Sequence, residues 1–260
     1  MKGREFEIAK FIFQKIEKGV TPNSISSIKD MLSKERTEKI RITKTPFLNS
    51  VGKELGKLLV EEQSKLDGLL KLWKLAKKEE EEIEQGLKSG RDIRLVVVSA
   101  LGEVSKKNSR VAEKFLLEII QDLSDWEVCD QLALRVVANL AIRDRDRIFS
   151  LMEEWIKSDN KWVRRLAVAT IPPYIRANKD ESKVCLEFLT FVMEEKERDV
   201  KKAVAWALRE ISKKDQSLAF EFLKKWAKVY SNDVKWIVRE SMKKLPEKQQ
   251  EELRKIMGLL

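Results

Sequence analysis

The sequence has no histidine, only two cysteines, five prolines and nine glycines in 260 residues. Without imidazole there is neither histidine acid–base catalysis nor a histidine-ligated zinc. Cys129 and Cys185 lie far apart and form no CxxC pair. They cannot supply a four-cysteine zinc or iron–sulfur site, and nothing suggests a secreted disulfide scaffold. No metal and no cofactor are expected. So little glycine and proline makes an all-β chain improbable on turn chemistry. The longest apolar runs, such as Leu95–Val98, fall far short of the ~20 residues that a membrane helix needs. The opening segment MKGREFEIAKFIFQKIEK is charged throughout and lacks the apolar centre of a signal peptide. The expectation is a cytoplasmic protein with no membrane partner.

What the chain does have is positive charge. Lys and Arg number 53 against 43 Asp and Glu, a formal net charge of +10. That balance favours an anionic partner, nucleic acid first. Almost every segment reads at helical period, as in Phe6-Ala9-Phe13-Ile16. Residues 1–89 hold four or five less regular helices, punctuated at Gly19-Val20-Thr21-Pro22-Asn23 and Thr43-Lys44-Thr45-Pro46. The charged run from Lys77 to Glu84 reads as a solvated helix face.

From residue 90 a pattern recurs. The segments RDIRLVVVSALGEVS, WEVCDQLALRVVANLA, KWVRRLAVATIPPYI, RDVKKAVAWALREIS and NDVKWIVRESMKKL align on Ile93, Val128, Val163, Val200 and Val234. Second amphipathic stretches follow at Ser109–Asp122, Arg145–Lys157, Ser182–Glu195 and Gln216–Lys228. Two helices per unit is the signature of an α-solenoid, in which each repeat covers its neighbour's apolar side. The fold class read from this pattern is all-α. It is an α-α superhelix of HEAT-like repeats in a single domain, residues 1–260, with about five helix pairs and a C-terminal cap over 90–260.

Counting the aligned residue as position 0 and advancing 100° per residue, positions 4, 8 and 11 fall within about 80° of it. They carry Val97, Leu101, Val104; Leu132, Val136, Asn139; Ala167, Ile171, Tyr174; Val204, Leu208, Ile211; and Val238, Met242, Leu245. This is the predicted buried stripe, with Asn139 the exception. Positions −2, 2, 6, 9 and 13 lie opposite and are predicted to face outward. Basic residues dominate there: Arg91, Lys161 and Arg198, then Arg165 and Lys202, Arg209 and Lys243, and Lys106, Arg176 and Lys213. Trp126, Trp206 and Trp236 interrupt them, Asp130 is a carboxylate near the middle, and small residues such as Ser99 and Gly102 are expected to keep a groove open.

Cations spaced by successive repeats suit phosphates along a nucleic-acid backbone. Trp126 and Asp130, four residues apart, share one side of a helix. By spacing alone a structural role is slightly favoured: Trp126 can staple the preceding turn, and Asp130 can complement the helix dipole or pair with Arg165. Trp206 is harder to explain by packing, because its neighbours already fill the buried stripe. Trp155, Trp162 and Trp226 fall off this face and read as packing residues. A carboxylate among aromatic faces in a basic groove stabilises a transient cation, such as the oxocarbenium ion of N-glycosidic cleavage. At ~4 Å and an effective dielectric of ~20 this is worth about 4 kcal/mol, or ~10³ in rate. A purine already positive through alkylation leaves without a proton donor, which suits a chain without histidine.

The combination of DWEVCD, KWVRRLAVA and VKKAVAWALRE resembles the HEAT-like-repeat DNA alkylation repair glycosylases, the AlkD family, over about residues 91–244. The resemblance implies a monofunctional glycosylase that excises cationic N3- and N7-alkylated purines from double-stranded DNA, as a monomer and without metal or cofactor. By the same resemblance, Trp126, Asp130 and Trp206 correspond to the catalytic aromatic–carboxylate–aromatic set. Arg165 and Arg209 correspond to DNA-backbone contacts, while Lys202, Arg176 and Lys213 join them as DNA-binding candidates by position on the face. Lys202 is also the one candidate, by position only, for a lyase nucleophile, which is not favoured. The alternative is a non-catalytic HEAT scaffold that binds nucleic acid or an acidic protein.

Overall fold

The computed structural model describes residues 3–36, 42–78, 81–84 and 87–259. The chain forms two compact units, residues 1–140 and 141–260. In the first unit the helices are α1 (Arg4–Glu17), α2 (Pro22–Ser33), α3 (Thr45–Glu61), α4 (Leu66–Lys77), α5 (Arg91–Lys107), α6 (Ser109–Ile119) and α7 (Trp126–Leu132). Helix α8 (Ala138–Arg143) spans the division. The second unit holds α9 (Arg145–Trp155), α10 (Lys161–Ala177), α11 (Ser182–Thr190), α12 (Arg198–Ser212), α13 (Gln216–Ala227), α14 (Asn232–Ser241) and α15 (Glu247–Ile256). The fold is all-α and of the solenoid type, and among the described residues no helix is long and apolar enough to cross a membrane.

Local chemistry sets the helix starts. Thr21 and Ser24 form a reciprocal capping box ahead of α2, with Pro22 in its first turn. Asn108, Asp125, Asp144, Asn160, Asp215 and Ser231 each accept a backbone N–H with the side chain as N-caps of α6, α7, α9, α10, α13 and α14. Helix α4 stops at Lys77, and Glu82–Glu84 pairs antiparallel with Leu87–Lys88 as β1 and β2. The expected helical face from Lys77 to Glu84 is therefore corrected to a helix end and a strand. Glu79 and Glu80 lie outside the described residues.

The predicted stripe is the core: every residue assigned to it is buried except Asn139, which is partly exposed. The exception has a backbone cause. A π-turn over Ala133–Val137 inserts one residue into the helical path between α7 and α8. Leu140, 2% exposed, therefore takes the slot that Val104, Tyr174 and Ile211 fill elsewhere. Asn139 is turned to polar work. Its Nδ2 donates to the Arg135 carbonyl at 2.6 Å, inside the turn.

The outward face expected for α5 is overturned except at Lys106, which is exposed as expected. Arg91, Leu95, Ser99 and Gly102 are all buried, because α3 lies across this helix. A Cβ on Gly52 would stand 2.4 Å from the Val96 carbonyl oxygen and 2.5 Å from Ser99 Cβ; one on Gly56 would stand 2.7 Å from the Ala100 oxygen. Ser99 and Gly102 thus admit neighbouring helices and do not keep a groove open: a Cβ on Gly102 would come within 3.1 Å of Arg135 Cβ. In the second unit Arg165 and Ala169 of α10 are likewise buried, whereas Arg198, Lys202 and Lys213 beside α12 are exposed.

The residue before the aligned Ile or Val is acidic in four of the five repeats: Asp92, Glu127, Asp199 and Asp233. Each sits in a first helical turn, where the dipole favours an anion. Each also receives a cation from an earlier helix or its flank, namely Arg36, Arg91, Lys161 and Lys201, at 3.1, 2.5, 2.8 and 2.5 Å respectively. Arg91 and Lys161, counted from sequence among the outward cations, are therefore spent on joining repeats.

Candidate active-site and nucleic-acid-binding residues

In the first unit, Trp126 and Asp130 occupy successive turns of α7 and both remain partly exposed. The start of this helix is closely held. Asp125 caps it, accepting the Val128 N–H at 2.9 Å. Its other carboxylate oxygen meets Arg94 Nη2 at 3.0 Å, and both side chains are fully buried. Glu127 accepts from Arg91 Nε at 2.5 Å and from the Thr45 hydroxyl. Next to Asp130, the Gln131 side-chain Oε1 accepts from Asn49 Nδ2 at 3.1 Å and from Arg135 Nε at 2.9 Å.

In the second unit, α10 and α12 gather a different set. The Arg176 guanidinium lies over the Trp206 indole, 5.8 Å from the ring centroid. Glu210, one turn beyond Trp206 and only 8% exposed, accepts from Arg176 Nε at 3.1 Å and from Lys213 Nζ at 2.5 Å. Burial pushes the Glu210 carboxyl up, but hydrogen bonds from Lys213 and Arg176 outweigh it and hold the group below its ordinary range. Lys202 is exposed on the same helix. Arg209 is partly exposed and donates through Nη1 to the Glu240 carbonyl at 3.0 Å. Arg165 is 6% exposed and donates to the Asp199 carbonyl at the start of α12.

Of the site residues expected from sequence, Trp126 and Asp130 thus lie together on α7, and Arg176, Trp206 and Lys213 gather beside Glu210, while Arg165 on α10 and Lys202 and Arg209 on α12 belong to the same unit as the second group. Sequence reasoning missed Glu210 and the arginine pair behind α7. The signal for the latter was present in Arg91 and Arg94, three apart on one helix, and in the acids flanking Trp126.

Trp236, undecided from sequence, is partly exposed, with Lys201 Nζ 5.5 Å from its ring centroid. Trp155 is buried as expected. Trp162 and Trp226 are only partly so, and the Trp226 indole nitrogen is buried without a hydrogen-bond partner. Among the described residues no cluster of three or more potential protein ligands could hold a metal ion. The thiols are poor alkyl acceptors. Cys129 is buried, and burial, with Glu181 nearby, pushes the Cys185 thiol up to about 12.

A helical-repeat protein with aromatic, acidic and basic side chains on its first helices is the class that fold and residues define. Within it, residues 37–245 match the family model of the DNA alkylation repair enzymes, and the chain belongs to that family. Its fold is similar to that of AlkD2 from Streptococcus mutans, with 20% identity and a TM-score of 0.58, covering 86% of this chain and 98% of that one. It is also similar to smu.31 from Streptococcus mutans UA159, with 22% identity and a TM-score of 0.50, covering 78% and 99%. No curated protein matches the chain.

Proposed function

We propose that the chain is a monofunctional DNA glycosylase that releases cationic N3- and N7-alkylated purines from double-stranded DNA, acting as a monomer. Family membership supports action on alkylated DNA. The observation that carries the finer reading is Asp130 on α7, one turn from Trp126, with both side chains partly exposed.

In this reading the alkylated purine already bears positive charge and departs with the glycosidic electron pair, so no general acid is required. Asp130 stabilises the oxocarbenium ion left on the deoxyribose and orients the attacking water. The indole face of Trp126 packs on the sugar and the cationic base, worth ~0.5–2 kcal/mol for a desolvated cation; Trp206 is assigned an aromatic role on the family resemblance alone. Lys202, Arg176, Lys213 and Arg209 hold phosphates. Arg165 is assigned the same role on the family resemblance alone.

The test is incubation with methylated duplex DNA and chromatography of the released bases. Free 3-methyladenine or 7-methylguanine from wild type, and none from Asp130→Asn, is the expected result. Binding of the duplex with no base release would leave the non-catalytic scaffold as the reading.

A further inference from the structure

We infer that Arg91 and Arg94 of α5, acting through Glu127 and Asp125, are positioning residues that fix the first turn of α7 and thereby the directions of Trp126 and Asp130. The inference rests on the proposed role of Asp130 and concerns how that side chain is aimed.

Asp125 and Glu127 flank Trp126 in sequence, so whatever holds both acids holds the indole between them. Arg91 and Arg94, three residues apart, share one face of α5. They are 1% and 0% exposed. Arg91 spends its donors on four acceptors: Glu127 Oε2 at 2.5 Å, the Thr43 carbonyl at 3.1 Å, Asp92 Oδ1 at 2.6 Å and the Thr45 hydroxyl at 2.8 Å. Thr45 in turn donates to the second Glu127 oxygen, so both oxygens of that carboxylate are held. Arg94 reaches the Ser124 hydroxyl and Asp125 Oδ2, each at 3.0 Å, with its guanidinium 5.6 Å from the Trp73 ring centroid. Residues 124, 125 and 127 are thus each tied to α5 by a buried guanidinium.

Stability does not explain the Arg94–Asp125 pair. Burying an ion pair costs about as much in desolvation as the attraction returns. Arg94 Nε is buried without a partner, and burial pushes the Asp125 carboxyl up and the Arg94 guanidinium down despite their proximity. In the second unit the acids at the equivalent positions, Asp199 and Asp233, are met by lysines with partly exposed side chains, and one buried arginine, Arg165, reaches the Asp199 carbonyl at the start of α12. Only the helix bearing Trp126 and Asp130 has, among the described residues, two buried arginines at its entry. What such a lock supplies is a fixed geometry, and a misplacement of about 1 Å at a reacting centre costs about 100-fold in rate.

The experiment compares full-length wild type, Glu127→Gln and Glu127→Ala. Three readouts are taken: single-turnover base release from methylated duplex, affinity for the same duplex, and amide hydrogen exchange over residues 126–132. Glu127→Ala is expected to lower the single-turnover rate about 10- to 100-fold at unchanged duplex affinity. It is also expected to speed exchange over 126–132 about tenfold with no change in α12. Glu127→Gln, which keeps hydrogen-bonding oxygen toward Arg91, is expected to recover most of both losses. The inference is overturned if the alanine variant matches wild type in rate and exchange, if the loss falls on affinity instead of rate, or if exchange rises equally in both units. Should wild type release no base, the glycosylase reading fails, and exchange over 126–132 still decides whether Glu127 anchors α7.

Discussion

The Arg176 guanidinium rests over the indole of Trp206 and is held there by Glu210. One buried carboxylate therefore balances two cations, Arg176 and Lys213, that are assigned to DNA. A phosphate must compete with Glu210 for both. Glu210→Gln is accordingly expected to tighten duplex binding about tenfold at low salt and to steepen its salt dependence. Fluorescence anisotropy across a salt series checks this; weaker binding would mean that Glu210 organises the cations and does not compete for them.

Exposed cations on the α12 face carry a separate expectation. Each phosphate neutralised contributes roughly −0.9 to the slope of log affinity against log salt. Lys202→Ala and Lys213→Ala are each expected to make that slope shallower by about one. Lys183→Ala, an exposed lysine on α11, should leave it unchanged, so an equal effect from all three would indicate nonspecific charge.

Packing of α3 on α5 predicts a sharp stability effect. Gly52→Ala places a methyl 2.4 Å from a backbone oxygen that cannot rotate away. The helices must separate, and overpacking of this kind typically costs about 1–3 kcal/mol. Urea unfolding should show the loss, and an unchanged midpoint would contradict the close approach.

How much of this was legible in the sequence follows from what each signal depends on. Helical period and repeat spacing are written in the sequence itself, and they located the helix pairs and the buried stripe. Asn139 was readable only as an anomaly, since the π-turn that explains it depends on backbone bonding and not on residue type. Arg91, Leu95 and Ser99 were misplaced outward because the wheel drawn for one repeat does not know that α3 covers the first. Trp126 and Asp130 could be paired from sequence because one turn of a helix is a sequence distance. Glu210 escaped notice because its importance lies in Arg176, on another helix.

Acid sensitivity has a predicted direction. Burial raises Glu195, but hydrogen bonds from Arg164 and from the Glu197 and Lys196 N–H groups, with the Arg164 charge, bring it below the ordinary value of 4.5. A carboxyl depressed in the folded state adds stability that is complete above its unfolded value and disappears as pH falls through the folded one. Glu195→Gln should therefore lower the melting temperature at pH 7 and converge on wild type under acid. Parallel curves from pH 7 to pH 3 would show that Glu195 contributes no such linkage.

In the proposed reaction Asp130 stabilises charge on the sugar as the alkylated base departs. Single-turnover release of 7-methylguanine from duplex DNA, by wild type and by Asp130→Asn, tests it most directly. A loss of about 10³ in rate is expected, with duplex affinity retained. Equal rates from the two proteins would contradict it.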